Sequence, residues 1–380
     1  MNIIEANRSY ESWLGKQIPL NKKDLQAKYR KMAGDSASFL RATFFRWSQI
    51  WPQLCPELAT SPRVLAVGDL HVENFGTWRD SEGRLIWGIN DFDEACPMPY
   101  TIDLVRLVTS YRVALPAGSN AGLKPKQACD KILQGYTDCL KAGGSPFVLA
   151  EKNEWLRAIA LHNLQDPAAF CRALDEGVSP VDKSKVPAVA LKALKHSLPS
   201  GAVVTKFAWR AAGKGSLGRP RYVALADYAG GEIVRESKAL ASSAWLWANP
   251  DGKPDDILYN KIISSAVRCI DPCVSVANKW ITRRLAPDCI KIELGKLRQI
   301  PVESDLLYAM GWETANVHLG SRSAIKSIQK DLAKRPAEWL REASKIMADA
   351  TEKDFAAWRK AHPVTQVPKK KTKKPAKKKA

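Results

Sequence analysis

The sequence lacks the features that would indicate a membrane protein, a protein built on disulfides or zinc, or a secreted protein. No apolar run approaches the roughly 18 residues that a membrane-spanning helix requires. The eight cysteines are scattered and form no CxxC pair, so they resemble small buried hydrophobic residues more than a disulfide framework or a zinc site. The opening stretch, MNIIEANRSYESW, lacks the basic and then apolar layout of a secretory signal. We therefore expect a cytoplasmic protein without a membrane segment.

Acidic residues are scarce relative to basic ones. The chain has 39 Asp and Glu against 59 Lys and Arg, and its formal net charge is +20. The stretch from Pro368, PKKKTKKPAKKKA, supplies eight of the lysines and no acid, which leaves about +12 on the rest. Such a segment cannot bury apolar surface, so we expect residues 363–380 to be disordered. Two interpretations stay open for this tail: weak nucleic-acid binding through its lysines, or solubility alone.

The rest of the chain alternates between helical and strand-rich stretches. Helical periodicity covers residues 9–51, 103–196 (with a break near 143–146) and 303–362. Successive strands joined by glycine turns begin at Val203, and KWITRRLAPDCIKIEL predicts another strand pair. Earlier, RVLAVGDL and LIWGIND flank the polar turn RDSEGR and predict a hairpin. With 380 residues, 45% of them hydrophobic and 26% charged, the chain can form two cores of ordinary globular composition.

Acidic and amide side chains follow both of the runs that predict this hairpin. The segment GDLHVENFG contains Asp69 and Asn74, and the second run ends in Asp91-Phe92-Asp93. Phosphoryl transfer needs one carboxylate that accepts or orients the proton of the attacking hydroxyl. It also needs an amide oxygen and further carboxylates that hold magnesium. Each residue alone is an ordinary turn former or helix cap, so the prediction depends on their joint spacing.

The pattern D-x-x-x-x-N, a strand and then D-F-D resembles the catalytic and metal-binding loops of the protein-kinase-like superfamily. It is closest to the aminoglycoside and choline phosphotransferase branch, whose loop has the form H-G-D-x-x-x-x-N. The resemblance implies that Asp69 is the catalytic aspartate and that Asn74 and Asp91 bind Mg²⁺, with Asp93 as a candidate second carboxylate ligand. It also implies that Asp103, in TIDLVRL, is a buried aspartate that braces the catalytic loop.

The positions of the histidines differ from the pattern of that branch, and they also exclude a metallophosphatase. The histidine before Gly-Asp is replaced by Val67, and His71 lies two residues after Asp69. Two interpretations of His71 stay open: a catalytic residue that orients Asp69 or touches phosphate, or a local hydrogen bonder. The D-x-H motif also opens metallophosphatase sites, but these require further histidine ligands. The chain has five histidines, none in an Asn-His-Asp or Gly-His-x-His context, so we exclude that class.

A glycine-rich segment, RAAGKGSLG, lies much later in the chain. Its run consists of Gly213, Lys214, Gly215, Ser216 and, two residues on, Gly218. A lone G-x-G-x-x-G run is more often a hairpin turn, and its dinucleotide-binding form must precede a helix. Here RPRYVALADY follows and predicts a strand. Strand, glycine loop and strand is the kinase arrangement, in which the loop covers the phosphates of ATP.

The next predicted strand, GGEIVRESKAL, carries the candidate phosphate-binding lysine. By resemblance to the third-strand lysine of kinases, Lys238 would hold the α- and β-phosphates of ATP, and Arg235 is the competing candidate. No helical glutamate that could pair with Lys238 follows in DDILYNKIISSAVRC. Glu236, two residues away on the same strand face, is the candidate replacement.

The order of these motifs differs from that of kinases, in which the glycine loop and lysine come first. The segment MGWETANVHLGS, which contains His318, resembles the helix that leads into the catalytic loop. Placing residues 203–321 before 64–196 restores the kinase order. We therefore predict an α+β, two-lobed, protein-kinase-like fold that is circularly permuted. The predicted regions are an N-terminal helical segment (1–62), a catalytic region (63–200), a strand-rich nucleotide-binding region (201–300), C-terminal helices (301–362) and the tail (363–380).

The motifs together also resemble one bacterial family, the domain-of-unknown-function 2252 family. The shared features are KYRKMAGDSASFLRATFFR, GDLHVENFG, INDFDEA, a DLVRL-like helix start, R-x-x-G-x-G-S-x-G-x-x-R-Y and RRLAPDCIKIEL. They cover about residues 25–321. This resemblance implies the fold and the site but says little about the substrate.

The leading hypothesis is an ATP- and Mg²⁺-dependent phosphotransferase. Its acceptor would be a hydroxyl of a small molecule or of a protein. Nucleotidyl transfer to a protein is one alternative, since a kinase-like fold can present a different phosphate. The other is a catalytically silent nucleotide-binding module that uses its basic surface and tail to bind nucleic acid. The intact acidic set favours an enzyme, because a silent module has no need to keep it.

Overall fold

The structure is a computed structural model that describes residues 1–115, 122–250, 256–292 and 300–363. Helices and antiparallel strands are both present, which confirms the α+β class. Within these ranges no helix combines the length and the apolar character needed to cross a bilayer. The lysine-rich tail from residue 364 onward lies outside them, so its disorder and its nucleic-acid binding stay predictions.

Five helices precede the first strand. They are α1 (Ile3–Gly15), α2 (Lys22–Met32), α3 (Ser36–Ala42), α4 (Phe44–Leu54) and α5 (Pro56–Ala59). The side chains of Asn2, Asn21 and Asp35 accept hydrogen bonds from first-turn amides of α1, α2 and α3. These caps satisfy N–H groups that have no partner inside a helix. The predicted helical stretch is confirmed, but the capping residues divide it into separate helices.

The next strands form two small sheets. They are β1 (Arg63–Ala66), β2 (Phe75–Arg79), β3 (Leu85–Ile89), β4 (Cys96–Pro99) and β5 (Phe147–Val148). The sheets are β1-β4 and β2-β3-β5, so the predicted pairing of RVLAVGDL with LIWGIND is wrong. Asp80 accepts the backbone N–H groups of Glu82 and Arg84, and Gly83 has a φ of 73°. Because this turn is tight, the strand directly before it, β2, pairs with β3.

The middle of the chain is mostly helical, as predicted. Its helices are α6 (Thr101–Ala114), α7 (Pro125–Ala142), α8 (Glu154–His162), α9 (Pro167–Glu176) and α10 (Ala188–Ser197). Helix α6 is buried on every side from Thr101 to Tyr111, so it forms the centre of the helical part. Helix α7 ends at Gly143, whose φ of 81° is accessible to glycine at little cost. The predicted break near 143–146 is thereby confirmed.

A larger antiparallel sheet follows. Its strands are β6 (Ser179–Pro180), β7 (Val203–Trp209), β8 (Arg221–Tyr228), β9 (Gly231–Ala239), β10 (Ser275–Ala277) and β11 (Trp280–Leu285), in the order β10-β11-β9-β8-β7-β6. Two short helices, α11 (Ala244–Ala248) and α12 (Tyr259–Ser265), lie between β9 and β10. The strand-rich character is confirmed. In KWITRRLAPDCIKIEL the first half forms β11. In the described part of the second half, residues 286–292, Lys291 forms a single bridge to Gly76 and no further strand is present.

Three helices close the described chain: α13 (Ile300–His318), α14 (Ile325–Lys334) and α15 (Trp339–Ala361). Helix α15 packs on the N-terminal helices, where Trp358 Nε1 donates to the Tyr29 carbonyl at 3.2 Å and Arg46 pairs with Asp354 at 2.7 Å. One hydrophobic core spans α1 to α15, and a smaller second core lies between α9 and the strands β7, β8 and β9.

Two glycines allow α7 and α13 to approach closely. A Cβ atom on Gly311 would lie 2.0 Å from the Ile132 carbonyl oxygen, and one on Gly135 would lie 2.0 Å from that of Tyr308. Real Cβ contacts are never so short, so the helices must separate to admit any other residue. This contact brings Tyr136 of α7 within hydrogen-bond distance of His318 at the end of α13.

Replacing Gly311 by alanine should therefore destabilise the fold, because the new methyl group meets backbone that cannot rotate away. We expect a loss of at least about 2 kcal/mol in the free energy of unfolding, measured by urea titration. Gly231→Ala is the matched control, since a Cβ there has open space. Its expected change is within about 0.5 kcal/mol. Equal stability of the two variants would contradict the close helix contact.

Candidate active site

The turn after β1 is fixed by a buried carboxylate from α6. Asp103 accepts the backbone N–H of Val67 at 2.7 Å and that of Gly68 at 2.8 Å. On the other side, His318 Nε2 donates to Asp103 Oδ2 at 2.9 Å, and the Tyr136 hydroxyl lies 2.8 Å from His318 Nδ1. Asp103 therefore braces the loop that carries Asp69, as the sequence predicted.

Asp69 emerges from this turn and pairs with Arg106, one helical turn beyond Asp103. The Arg106 Nε atom donates to Asp69 Oδ1 at 2.9 Å, and its Nη2 group contacts the same oxygen. Arg106 is itself held by the Leu40 carbonyl and by the rings of Phe44 and Trp47, whose centroids lie 5.1 and 4.9 Å from the guanidinium carbon. Both donors use Oδ1, so Oδ2 is the oxygen left for a ligand.

Asn74 and His71 complete the loop. Asn74 Nδ2 donates to the Asp69 carbonyl at 2.7 Å, which leaves its side-chain oxygen available. His71 Nδ1 accepts the backbone N–H of Glu73 at 3.2 Å and so caps the short 3₁₀ turn Val72–Asn74. Burial and then the charge of Arg41 hold the pKa of His71 well below its usual value. The local hydrogen-bonding interpretation of His71 therefore describes its Nδ1, while Nε2–H remains free to donate.

Asp91 and Asp93 meet the predicted lysine. Lys238, on β9, lies 2.5 Å from Asp93 Oδ2 and 3.7 Å from Asp91 Oδ1, and its side chain is only 2% exposed. Burial opposes the charge of Asp91, but Lys238 and Arg283 outweigh it and keep the Asp91 pKa below its usual value. For Asp93, burial and the neighbouring charge of Asp91 raise the pKa. Asp91 therefore stays ionised beside Lys238.

The glycine loop connects β7 and β8 and lies directly on the acidic residues. A Cβ on Gly215 would lie 3.6 Å from Asp69 Oδ2 and 2.9 Å from the Arg41 carbonyl oxygen, so the loop approaches both closely. Gly213, Lys214, Gly215 and Ser216 line one cavity of about 80 Å³ together with Asp69, His71, Asn74, Asp91 and Asp93. We call it the acidic cavity. Gly218, with a φ of 94°, instead packs against Leu25 of α2.

Arg235, the competing phosphate candidate, and Glu236, the candidate partner of Lys238, both have other partners. Arg235 donates to the Ser197 carbonyl at 2.9 Å and lines a separate cavity with Phe170 and Pro287, because alternate residues of a strand face opposite sides. Glu236 faces the same side as Lys238 but binds Arg221 and Arg283, at 2.8 and 3.0 Å. Arg210 is a third arginine on this carboxylate. Burial opposes the Glu236 charge, yet these arginines hold its pKa well below the usual value. The expected Lys238–Glu236 pair is therefore wrong: Lys238 pairs with Asp93.

A second, larger cavity of about 270 Å³ adjoins the first. The two share Asp91, Gly213, Ser216 and Lys291. Five arginines line the second cavity: Arg210, Arg221, Arg268, Arg283 and Arg284. We call it the arginine-lined cavity; its apolar wall includes Tyr259, Ile263 and Leu285. Buried N–H groups of Arg268 and Arg284 have no hydrogen-bond partner within the described residues.

The donor set of the acidic cavity suits magnesium bound with a phosphate. Among the described residues no three His, Cys, Asp or Glu side chains are grouped as a metal cage. Mg²⁺ commonly takes one or two carboxylates and completes its shell with water and phosphate oxygens. Asp91 and the Asn74 oxygen provide such a partial set. Asp93 has one buried oxygen without a hydrogen-bond partner and is otherwise held by Lys238 and Arg219.

The N-terminal helices supply a wall of this site that sequence reasoning missed. Tyr10, Lys28, Arg41 and Phe44 line the acidic cavity, and α2 holds the glycine loop through Asn21 N–H, which donates to the Gly218 carbonyl at 2.9 Å. Arg106 and Arg219 were missed as well. The charged residues of this group lie within or beside motifs already named in the sequence: Lys28, Arg41, Arg106 and Arg219. Their charge close to those motifs was the signal that could have identified them.

Comparison with known proteins adds a family match over part of the chain. Residues 21–172 match the family described as "Uncharacterized protein conserved in bacteria (DUF2252)". This stretch contains the loop of Asp69, the Asp91–Asp93 pair and Asp103, so the family resemblance is confirmed there. It ends before the glycine loop and Lys238. Searches of curated proteins and of solved structures found no match.

The protonation of Asp69 should be measurable directly. Burial raises its pKa to about 7, although Arg106 opposes the shift. Below pH 7 the carboxyl is protonated and cannot accept a proton; above pH 7 it can. In carbon-13 NMR spectra of aspartate-labelled protein, we expect one carboxyl signal to titrate near pH 7 and to be absent from Asp69→Asn. A spectrum in which every aspartate titrates below pH 5 would contradict the buried site.

Proposed function

We propose that the protein is an ATP- and Mg²⁺-dependent phosphotransferase with a circularly permuted, protein-kinase-like fold. One observation carries the proposal. The glycine loop 213–216 and the side chains of Asp69, Asn74 and Asp91 are more than a hundred residues apart in sequence, yet they line one cavity. Phosphoryl transfer requires a phosphate-covering loop, a base and metal ligands to meet at one point.

The two adjoining cavities suggest where ATP would bind. The adenine and ribose of ATP would bind in the arginine-lined cavity, whose apolar wall includes Tyr259 and Leu285. The phosphates would then pass the shared wall beneath Gly213 and Ser216 and reach the acidic cavity. Mg²⁺ held by Asp91 and Asn74 would neutralise the phosphate oxygens. Lys238 lies 3.7 Å from Asp91 Oδ1 but is not among the described residues that line either cavity, so its proposed role is to hold the metal-binding carboxylate.

Asp69 is the proposed base. Its Oδ2 faces the glycine loop, while Arg106 fixes Oδ1 and thereby the orientation of the carboxylate. The acceptor hydroxyl would give its proton to Oδ2 as its oxygen bonds to the γ-phosphorus. The bond from that phosphorus to the β,γ-bridging oxygen then breaks, and ADP leaves. A base with a pKa near 7 suits this role at neutral pH.

Two further properties support the kinase-like proposal. Asp103 holds the backbone of the catalytic loop, and His318 reaches it from the end of α13. The glycine loop joins two neighbouring strands of an antiparallel sheet, and Lys238 lies on the next strand. Reading residues 203–321 before 64–196 puts these parts in the kinase order. The permutation accounts for their inverted order along the chain.

A second candidate is nucleotidyl transfer, and the arginines of the larger cavity favour it. If ATP binds in the reverse direction, its terminal phosphates would meet Arg268 and Arg284, which have unpartnered buried N–H groups. The α-phosphate would then lie near Asp91. The products separate the two reactions: phosphoryl transfer releases ADP, whereas nucleotidyl transfer releases pyrophosphate. ATP labelled at either the α- or the γ-phosphate distinguishes them.

Replacing Asp91 by asparagine should remove Mg²⁺-dependent ATP binding. The carboxylate that stays ionised beside Lys238 would be lost, and we expect ATP affinity in the presence of Mg²⁺ to fall at least about tenfold. Isothermal titration calorimetry measures this change. The melting temperature should stay nearly constant, since Lys238 keeps its closer partner, Asp93.

Asp349→Asn on the exposed face of α15 is the matched control and should bind ATP normally; its carboxylate makes only a surface pair with Lys345. Full-strength Mg²⁺-dependent binding by Asp91→Asn would contradict the proposal. Normal ATP binding by the wild type without ADP or pyrophosphate release across a broad panel of acceptors would favour the catalytically silent module instead.

A further inference from the structure

A buried lysine on α2 faces the acidic cavity without an ion-pair partner. Lys28 is 4% exposed and lines the cavity with Asp69 and Arg219. Among the described residues, no hydrogen bond or salt bridge joins its ammonium group to another side chain. Glu11 is the acid whose charge acts on it most; its Oε2 accepts a hydrogen bond from Tyr29, and its buried Oε1 has no hydrogen-bond partner in the described chain. An unpaired buried ammonium group is unfavourable unless an anion joins it.

The neighbouring carboxylates are already neutralised by other cations. Asp69 pairs with Arg106, Asp93 with Lys238, and Glu94 with Arg219 at 3.0 Å. Glu94 also accepts the backbone N–H of Ala244 at 2.6 Å, so both of its oxygens are in use. None of these three carboxylates is therefore paired with Lys28 within the described chain. Arg219 adds buried Nε and Nη1 groups that have no hydrogen-bond partner in the described chain, although Nη1 lies 3.6 Å from Asp93 Oδ2.

We propose that Lys28 and Arg219 bind an anionic oxygen group, phosphate or carboxylate, carried by the molecule that receives the phosphoryl group. The inference rests on the proposed function and narrows its acceptor to a small hydroxyl compound with a negative charge. A protein serine or threonine side chain carries no such group. The acceptor hydroxyl would point at Asp69 Oδ2 while its anion meets Lys28.

The position of Lys28, away from the wall that the two cavities share, favours the acceptor over ATP as the carrier of the anion. A nucleotide that spans both cavities must pass the wall they share, formed by Asp91, Gly213, Ser216 and Lys291. Lys28 and Arg219 line the acidic cavity alone. Helix α2 also lies outside the two stretches that make up the permuted kinase order. The N-terminal helices are therefore an addition at the acceptor side of Asp69.

Inorganic phosphate and acetate are the probes, and the full-length protein is titrated with each in a calorimeter. The cell contains Mg²⁺ and a saturating non-hydrolysable ATP analogue. We expect the wild type to bind at least one probe while the analogue stays bound. Lys28→Met should weaken this binding at least about tenfold, because a charged hydrogen-bond donor is lost. Lys23→Met, an exposed lysine on the same helix, is the matched control and should bind as the wild type does.

The results that would overturn the inference are specific. Binding by Lys28→Met equal to that of the wild type would remove Lys28 from the site. Probe that displaces the ATP analogue would assign Lys28 to the transferring phosphate instead. If Lys28→Met does not fold, Lys28→Gln serves in the same comparison. If the analogue does not bind at all, the proposed function fails, and titration without nucleotide then tests the anion site on its own.

Discussion

The site depends on one buried carboxylate, that of Asp103. A carboxylate at the first turn of a fully buried helix must have its oxygens satisfied, and here two backbone N–H groups and a histidine do so. The two N–H groups belong to Val67 and Gly68, directly before Asp69. The turn is therefore held in a conformation with a positive φ at Gly68, where a Cβ would collide with the Glu94 carbonyl. Asp69 has a defined direction because Asp103 fixes the backbone in front of it.

Charge compensation then determines what surrounds Asp69. Carboxylates gathered in a poorly solvated cavity raise one another's pKa values. In this fold, arginine and lysine side chains from distant parts of the chain compensate their charge. Arg106 comes from α6, Lys238 from β9, and Arg219 from the end of the glycine loop. Each pair also joins two segments, so the same contacts that balance charge position the glycine loop over the acidic residues. Lys28 lines the same cavity, but its ammonium group forms no ion pair among the described residues.

The sequence was informative where a residue's role is local and less so where it depends on a remote partner. Helices, the strand-rich stretch and the break at Gly143 followed from periodicity and from turn residues. The loop spacing of Asp69, Asn74 and Asp91 placed three residues that line one cavity. Strand pairing was missed at β1, because a four-residue strand pairs with β4 across thirty residues and carries no local signal of it.

Ion-pair partners were the least predictable part. Glu236 is two residues from Lys238 and on the same strand face, which made it the natural partner in sequence. In the folded chain three arginines pair with Glu236, and Lys238 pairs with Asp93, which lies in the turn between β3 and β4. Such choices depend on which charges tertiary packing brings together. No pattern within a single strand contains that information.

The packing of α15 on α2 has a consequence for the order in which the chain is made. Lys28 is adjacent to Tyr29, whose carbonyl accepts the Trp358 indole N–H and whose ring packs against that indole at 5.5 Å. The wall of the acidic cavity formed by α2 is thus supported by residues synthesised more than three hundred positions later. On the ribosome, the strands, glycine loop and Asp69 all emerge before this support exists. In the nascent chain, the α2 wall of the acidic cavity therefore lacks its packing partner. The cavity becomes complete only when α15 has left the exit tunnel.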